Sequence, residues 1–295
     1  MIAPDDERAR LMRWVICCAA IACALAPNLL APRAFAADLD DALRGPLTVG
    51  PAAFTRWSGF YAGGQFDYSS GNTDFSKATQ PLIANSGQNL ALVTVAQIDQ
   101  WTPLGSNSNA NATGWGGFAG YNTQWQDLVI GIEANYTHAP FTTVATVTPL
   151  DRVVGVGGNT DSVHETGSGS LSITDFGSVR ARFGYVFNNF LPYGFAGLAL
   201  GRGSYSVTAD ASGQQSSTGT VPCTPAPGTC VDYDIGGSVS KSNTLLYGFA
   251  VGGGLDWAVT QNVFLRGEYE FMQFAPVANI TATISSVRVG AGFKF

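Results

Sequence analysis

The chain has 295 residues, of which only 12% are charged, 12% are aromatic and 36 are glycine. An average soluble domain carries about twice that share of charge and roughly half that share of glycine, which excludes a disordered polyelectrolyte. Fifteen basic residues against 21 acidic ones, with no basic run, argue against a nucleic-acid partner.

Residues 14–32 (WVICCAAIACALAPNLLAP) carry no charge and follow Arg8, Arg10 and Arg13. Ala34-Phe35-Ala36 then gives a small-x-small site, so the segment reads as a signal peptide over 1–36, cleaved after Ala36. Pro27 and Asn28 speak against a membrane-spanning helix. Asp5, Asp6 and Glu7 suit a positively charged leader badly, and Met12 gives a cleaner start than Met1. Removing 1–36 takes out four basic and three acidic residues and leaves 11 and 18, a formal charge of −7. Residues 37–56 read as a periplasmic linker, and 57–295 as one domain.

No uncharged apolar stretch beyond residue 36 is long enough for a spanning helix. The apolar signal alternates with period two instead. Leu128, Ile130, Ile132, Ala134 and Tyr136 lie on one face, and Val129, Gly131, Glu133, Asn135 and Thr137 on the other. Strands are predicted near 58–69, 113–124, 127–138, 174–187, 190–205, 243–258, 262–274 and 283–295. Tight turns around 124–126, 188–189 and 260–262 alternate with longer connections over 70–112, 139–173, 206–242 and 275–282. Residues 87–98 could add a short helix or more strand to the first of these. Short turns at one end and long loops at the other describe an eight-stranded antiparallel up-and-down transmembrane β-barrel with long extracellular loops.

The facing of the strands settles the environment. Eight strands enclose a bore just wide enough to fill with side chains. It cannot hold eight bulky apolar faces, so these point outward, where only lipid makes them favourable. Closure also removes sheet edges, which hydrocarbon does not tolerate. Trp57, Trp125, Tyr185, Tyr193, Trp257 and Phe295 are expected in one interfacial girdle, and Tyr68, Trp115, Tyr136, Tyr205, Tyr247 and Phe274 in the other.

The same parity turns Asp67, Glu133, Asp256, Glu268 and Glu270 inward, with Arg180, Arg182, Arg266, Arg288 and Lys294. Counting from the turns pairs Glu133 with Arg182 and Asp256 with Arg266. Desolvated charges in so narrow a space need such partners. A plug of side chains is the expected state, with an ion pathway through rearranging pairs as the alternative.

Cys223 and Cys230, in PCTPAPGTC, are the only cysteines left after export. An oxidising compartment makes a disulfide the natural reading, at roughly 2.5 kcal/mol for so short a loop. A Ser-His-acid set can be drawn from His164, Asp161 or Glu165, and Ser162 or Ser168, but no nucleophile motif surrounds either serine. The glycines of Gly252-Gly253-Gly254 lack a following Lys-Ser/Thr or helix, so they do not form a phosphate loop. No catalytic, cofactor-binding or metal residue is assigned, and no enzyme activity is expected.

Several stretches, in order, carry a resemblance. They are Trp57-Ser58-Gly59-Phe60-Tyr61-Ala62-Gly63, Gly117-Phe118-Ala119-Gly120-Tyr121-Asn122 and Gly177 to Tyr185 (GSVRARFGY). Leu191-Pro192-Tyr193, Arg266-Gly267-Glu268-Tyr269 and the terminal Val289 to Phe295 (VGAGFKF) complete the set. Over 57–295 the chain resembles the small outer-membrane β-barrel surface-antigen proteins of α-proteobacteria, often labelled porin family. The resemblance implies residence in the bacterial outer membrane. It also implies that Val287, Val289, Ala291, Phe293 and Phe295 signal to the barrel-insertion machinery. Three roles compete: a structural and surface-interaction protein, a narrow channel for ions or small solutes, and capture of a haem-like ligand by the loops. Expected partners are outer-membrane lipid, the insertion machinery and an extracellular ligand or host surface.

Overall fold

The computed structural model describes residues 56–223 and 229–295. The segment expected to be a signal peptide, and all of the expected linker but Arg56, lie outside the described residues. Nine strands follow in chain order: β1 (Gly59–Asp74), β2 (Ser108–Trp125), β3 (Leu128–Val144), β4 (Leu150–Val156), β5 (Asn159–Tyr185), β6 (Phe190–Ser216), β7 (Cys230–Ala258), β8 (Val263–Phe274) and β9 (Thr281–Lys294). Every pairing is antiparallel between neighbours, β9 returns to β1, and β3 pairs directly with β5. Eight strands therefore close into a barrel, while β4 pairs only with the outer end of β5.

Alternation is the cause of closure. On β3 the side chains of Ile130, Ile132 and Tyr136 are exposed, and those of Glu133, Asn135 and Thr137 are buried. Phe66, Leu198, Leu245 and Val289 continue the exposed belt on other strands. At one end the strands join through tight turns, where Gln126 and Asn188 take a φ of +53°.

At the other end the strands run further than the sequence suggests. The predicted loops 139–173 and 206–242 are largely ladder, because β5 and β6 are 27 residues each and β7 is 29. Their outer halves have water on one side and crown on the other. Alternation there is written in small residues such as Val207, Ala209 and Ala211, all buried, and does not stand out. Irregular pairing at His138–Phe141, Ile173–Asp175 and Gly203–Tyr205 marks the level where barrel becomes ribbon. Bulges collect at such rims.

The 70–112 segment extends β1 and β2 and carries α1 (Gln80–Ser86), α2 (Ala91–Thr94) and a 3-10 turn (Ile98–Gln100). Pro81 sits in the first turn of α1, where its missing N–H is no loss. Ile83, Leu92 and Ile98 pack with Val156, Val163, Ala209 and Ala211 of the ribbons to form a crown.

Most of the expected girdle residues face outward. Trp57, Tyr193, Tyr205 and Phe274 do not: Trp57, Tyr193 and Phe274 are buried inside, and Tyr205 is partly buried against the interior apolar layer. Tyr193 follows the parity of Leu191 and Phe195, and the small outward residues of β6 (Gly194, Ala196) hide that parity in the sequence. The buried side chains of the barrel form three layers. Trp57, Tyr61, Phe118, Val129, Leu191, Ala258 and Phe264 pack at the short-turn end. Charged groups occupy the middle, and an apolar layer including Phe141, Ile173, Phe176, Leu246, Met272 and Phe274 lies above them.

Candidate functional site

The middle of the bore is a single connected set of charges. Glu133 of β3 meets Arg180, Arg182 at 3.1 Å and Arg266 at 2.9 Å. Arg180 also reaches Glu268 at 2.5 Å and Glu270 at 3.3 Å. Asp256 takes Arg182 at 2.7 Å and Arg266 at 2.8 Å. Arg288 joins Asp67 at 3.0 Å and Glu268 at 3.3 Å, and contacts Glu270. All nine side chains are buried. Burial of so many charges is tolerable only because each carboxylate meets a guanidinium.

Rings complete the packing. Phe118 lies 3.9 Å from the Arg266 guanidinium, Phe195 lies 3.8 Å from Arg180, and Tyr193 lies 3.9 Å from Arg182. Strands β2 and β6 supply no charge to the network; they supply these three rings, which favour a desolvated cation. Space for them comes from glycine. A Cβ at Gly252 would stand 2.5 Å from the Phe195 ring, and one at Gly254 would stand 2.6 Å from the Tyr193 hydroxyl.

Sequence reasoning missed the neutral donors. Tyr61 Oη donates to Glu133 at 2.6 Å, and Tyr193 Oη donates to Glu268 at 2.8 Å. Ser178 Oγ donates to Glu270 at 2.6 Å, and Ser69 Oγ donates to Asp67. Tyr61 shares the parity of Asp67, so its facing could have been read.

Nine of the ten inward charges proposed from parity are in this network. Lys294 is inward but apart. Its Nζ donates to the Arg56 carbonyl oxygen at 3.1 Å and lies 4.2 Å from the Trp57 ring centre. The pairing counted from the turns is offset by two residues for β3 and β5: Glu133 stands opposite Arg180, and Arg182 opposite Gly131. Both guanidinium groups still reach Glu133. Asp256 stands opposite Arg266. At the terminus Val287, Val289, Ala291, Phe293 and Phe295 all face outward, with Phe295 76% exposed.

The crown holds the remaining polar chemistry. Cys223 and Cys230 are joined by a disulfide. His164 meets Asp151 of β4 at 2.6 Å on the outer face, while Asp161 and Glu165 point to the buried face. The backbone N–H of Gln214 donates to Ser162 Oγ, and Ser168 Oγ pairs with the Thr208 hydroxyl at 2.7 Å. The Ser-His-acid set is therefore split between two faces of a strand, because its members differ in parity. Burial pushes the Glu165 carboxyl up to about 7, helped by Asp99 and opposed by Arg152. Burial also raises Asp161. Partial burial and the adjoining Asp234 carboxyl raise Asp210 on the outer face.

A closed eight-stranded barrel with a lipid-facing apolar belt and a bore full of paired charges is an integral membrane barrel of the outer-membrane class. The family model described as "Outer membrane protein beta-barrel domain" matches residues 43–295, and the chain belongs to that family. It is 28% identical over 198 residues to the 22 kDa outer membrane protein of Rhizobium leguminosarum bv. viciae, covering 64% of this chain and 70% of the relative. Among solved structures it is similar to Neisserial surface protein A, at 15% identity and a TM-score of 0.35, over 81% of this chain and 98% of that one. It is also similar to OprG of Pseudomonas aeruginosa, at 11% identity and a TM-score of 0.35, over 81% and 96%. Ail of Yersinia pestis, solved with the heparin analogue sucrose octasulfate, is 15% identical with a TM-score of 0.32, over 80% and 99%. The protein resides in the bacterial outer membrane, its short turns on the periplasmic side and its crown outside.

Proposed function

We propose that the protein is a sealed, non-catalytic outer-membrane barrel that holds a surface crown out to extracellular partners. The observation that carries this reading is the state of the bore. Four arginines and five carboxylates fill its middle, each at most 4% exposed, with apolar layers above and below. In this reading residues 1–36 direct export, 37–56 form a periplasmic linker and 57–295 form the barrel. The outward C-terminal row, Val287 to Phe295, serves the insertion machinery. The Cys223–Cys230 bridge braces the tip of the crown.

The acids Asp151, Asp210, Asp232 and Asp234 share the outer face of the ribbons with one histidine, His164. Such a face suits a cationic partner and repels a polyanion.

A narrow channel is the second reading. One feature favours it: Glu133 is shared by three arginines and Arg180 by three acids, so alternative pairings lie close at hand. Planar-bilayer recording of the refolded protein decides between them. The sealed reading expects no steady conductance. Reproducible open levels in wild type, altered by Glu133→Gln, would establish the channel.

A further inference from the structure

The helical part of the first long connection sits on the ribbons as a lid. Its seat contains an anomaly. On β5, Val163 belongs to the crown's apolar core, and Glu165 beside it on the same face is only 1% exposed. Neither oxygen of Glu165 has a hydrogen-bond partner. Thr79, leading into α1, is also fully buried with its hydroxyl unpartnered. Its methyl lies 3.0 Å from where a Cβ of Gly167 would stand, which places the start of α1 against β5 two residues from Glu165.

The surroundings of Glu165 offer little to a negative charge. From the 3-10 turn Asp99 repels it, and from β4 Arg152 attracts it while lying 4.7 Å from the Trp101 ring. From β6 the facing residues are Ala209 and Ala211, the latter directly opposite Glu165. From β7 come Tyr233, whose hydroxyl donates to the Ser162 carbonyl oxygen, and Ile235. Asp161, on the same face of β5, is buried across from Gln215. His164, Asp210 and Asp234 lie on the opposite face of the ribbon.

We propose that residues 75–105 form a proton-latched lid, seated on β5–β7 while Glu165 is protonated and loosened when it ionises. The direction follows from linkage. A solvated glutamate titrates near 4.3, and in the seated lid Glu165 is pushed up to about 7. The seated state therefore holds the proton more tightly. Seating is strongest below about 4.3, weakens as pH rises to about 7, and changes little above that. A shift of that size corresponds to about a hundredfold weakening of the seating equilibrium across the window.

The test is amide hydrogen exchange on the whole barrel in lipid nanodiscs, corrected for intrinsic exchange, at pH 5 and pH 8. Peptides spanning 80–100 should lose protection by ten- to a hundredfold at the higher pH, while β8 and β9 stay unchanged. Glu165→Gln should flatten that response, and His164→Gln should leave it in place. A flat wild type, an unaltered slope in Glu165→Gln, or a slope abolished by His164→Gln overturns the proposal. If the glutamine amide itself unseats the lid, Glu165→Leu should seat it firmly at both pH values. A lid loose at both pH values in the leucine variant also overturns it.

Discussion

Glu133 and Glu165 are both buried glutamates on the inner faces of strands. Glu133, inside the membrane, meets three guanidinium groups and a tyrosine hydroxyl. Glu165, in the crown, meets no donor and faces alanine, valine and an opposing aspartate. The difference is one of construction. In the barrel, opposite charges stand on neighbouring strands whose register the ladder fixes, so partners are built in. The crown's inner wall is completed by helices from a distant part of the chain, which bring apolar side chains and few donors. Burial alone thus says little about a carboxylate; what arrives with the wall decides whether it locks the fold or leaves it adjustable.

The largest effect should come from the end of the barrel. Phe295→Asp is expected to leave the chain exported yet nearly absent from the outer membrane, as read by fractionation and immunoblotting. Normal membrane levels would remove the C-terminal row from the account.

Next in size is the hub of the network. Glu133→Gln should lower the urea midpoint of the vesicle-embedded barrel by an amount equivalent to about 3–5 kcal/mol, because Arg180, Arg182 and Arg266 lose a shared counter-charge. Adding Arg180→Gln should restore part of that loss. Strictly additive effects would mean that the charges are solvated, and the contrast with Glu165 would collapse.

Gly252→Ala probes the ring sockets. The new methyl would press on the Phe195 ring and on the Tyr269 carbonyl oxygen. Overpacking of this kind costs about 1–3 kcal/mol, and the loss should be smaller in a Gly252→Ala, Phe195→Leu double variant. Equal losses in both would leave the ring without a role.

The smallest global effect belongs to the crown's bridge. Replacing Cys223 and Cys230 by serine should raise exchange near 214–233 and leave the barrel's midpoint and heat-dependent gel mobility as they were. A large fall in the barrel midpoint would make crown and bore one cooperative unit and erase the comparison.

What could be read from the sequence follows the same division. Strand β3 was legible because lipid outside and charge inside write opposite residue types on alternate positions, from Leu128 to Thr137. Nine charges of the bore were legible for that reason, whereas the two-residue offset between Glu133 and Arg182 was not, because turn geometry sets register. Tyr193 was misplaced because its outward neighbours are glycine and alanine. The outer halves of β5, β6 and β7 looked like loops because no lipid meets them: polar residues such as Ser168, Thr208 and Asp234 fill the outer face, and small residues such as Ala209, Ala211 and Gly213 much of the inner one. Glu165 seemed a loop acid; only the docking of α1 and the 3-10 turn makes it a buried one.

The length of the ribbons has a mechanical meaning. The 27 residues of β6, at about 3.3 Å each and inclined by about 40°, climb about 68 Å. A bilayer with its headgroups takes up about 40–45 Å of that. The tip therefore stands about 25 Å clear of the lipid, on a mast whose backbone ladder runs into the barrel wall, broken only by the irregular pairing at Ile173–Asp175 and Gly203–Tyr205. An object gripping the tip pulls along the ladder rather than on a slack tether, so the anchor must yield before the mast bends away.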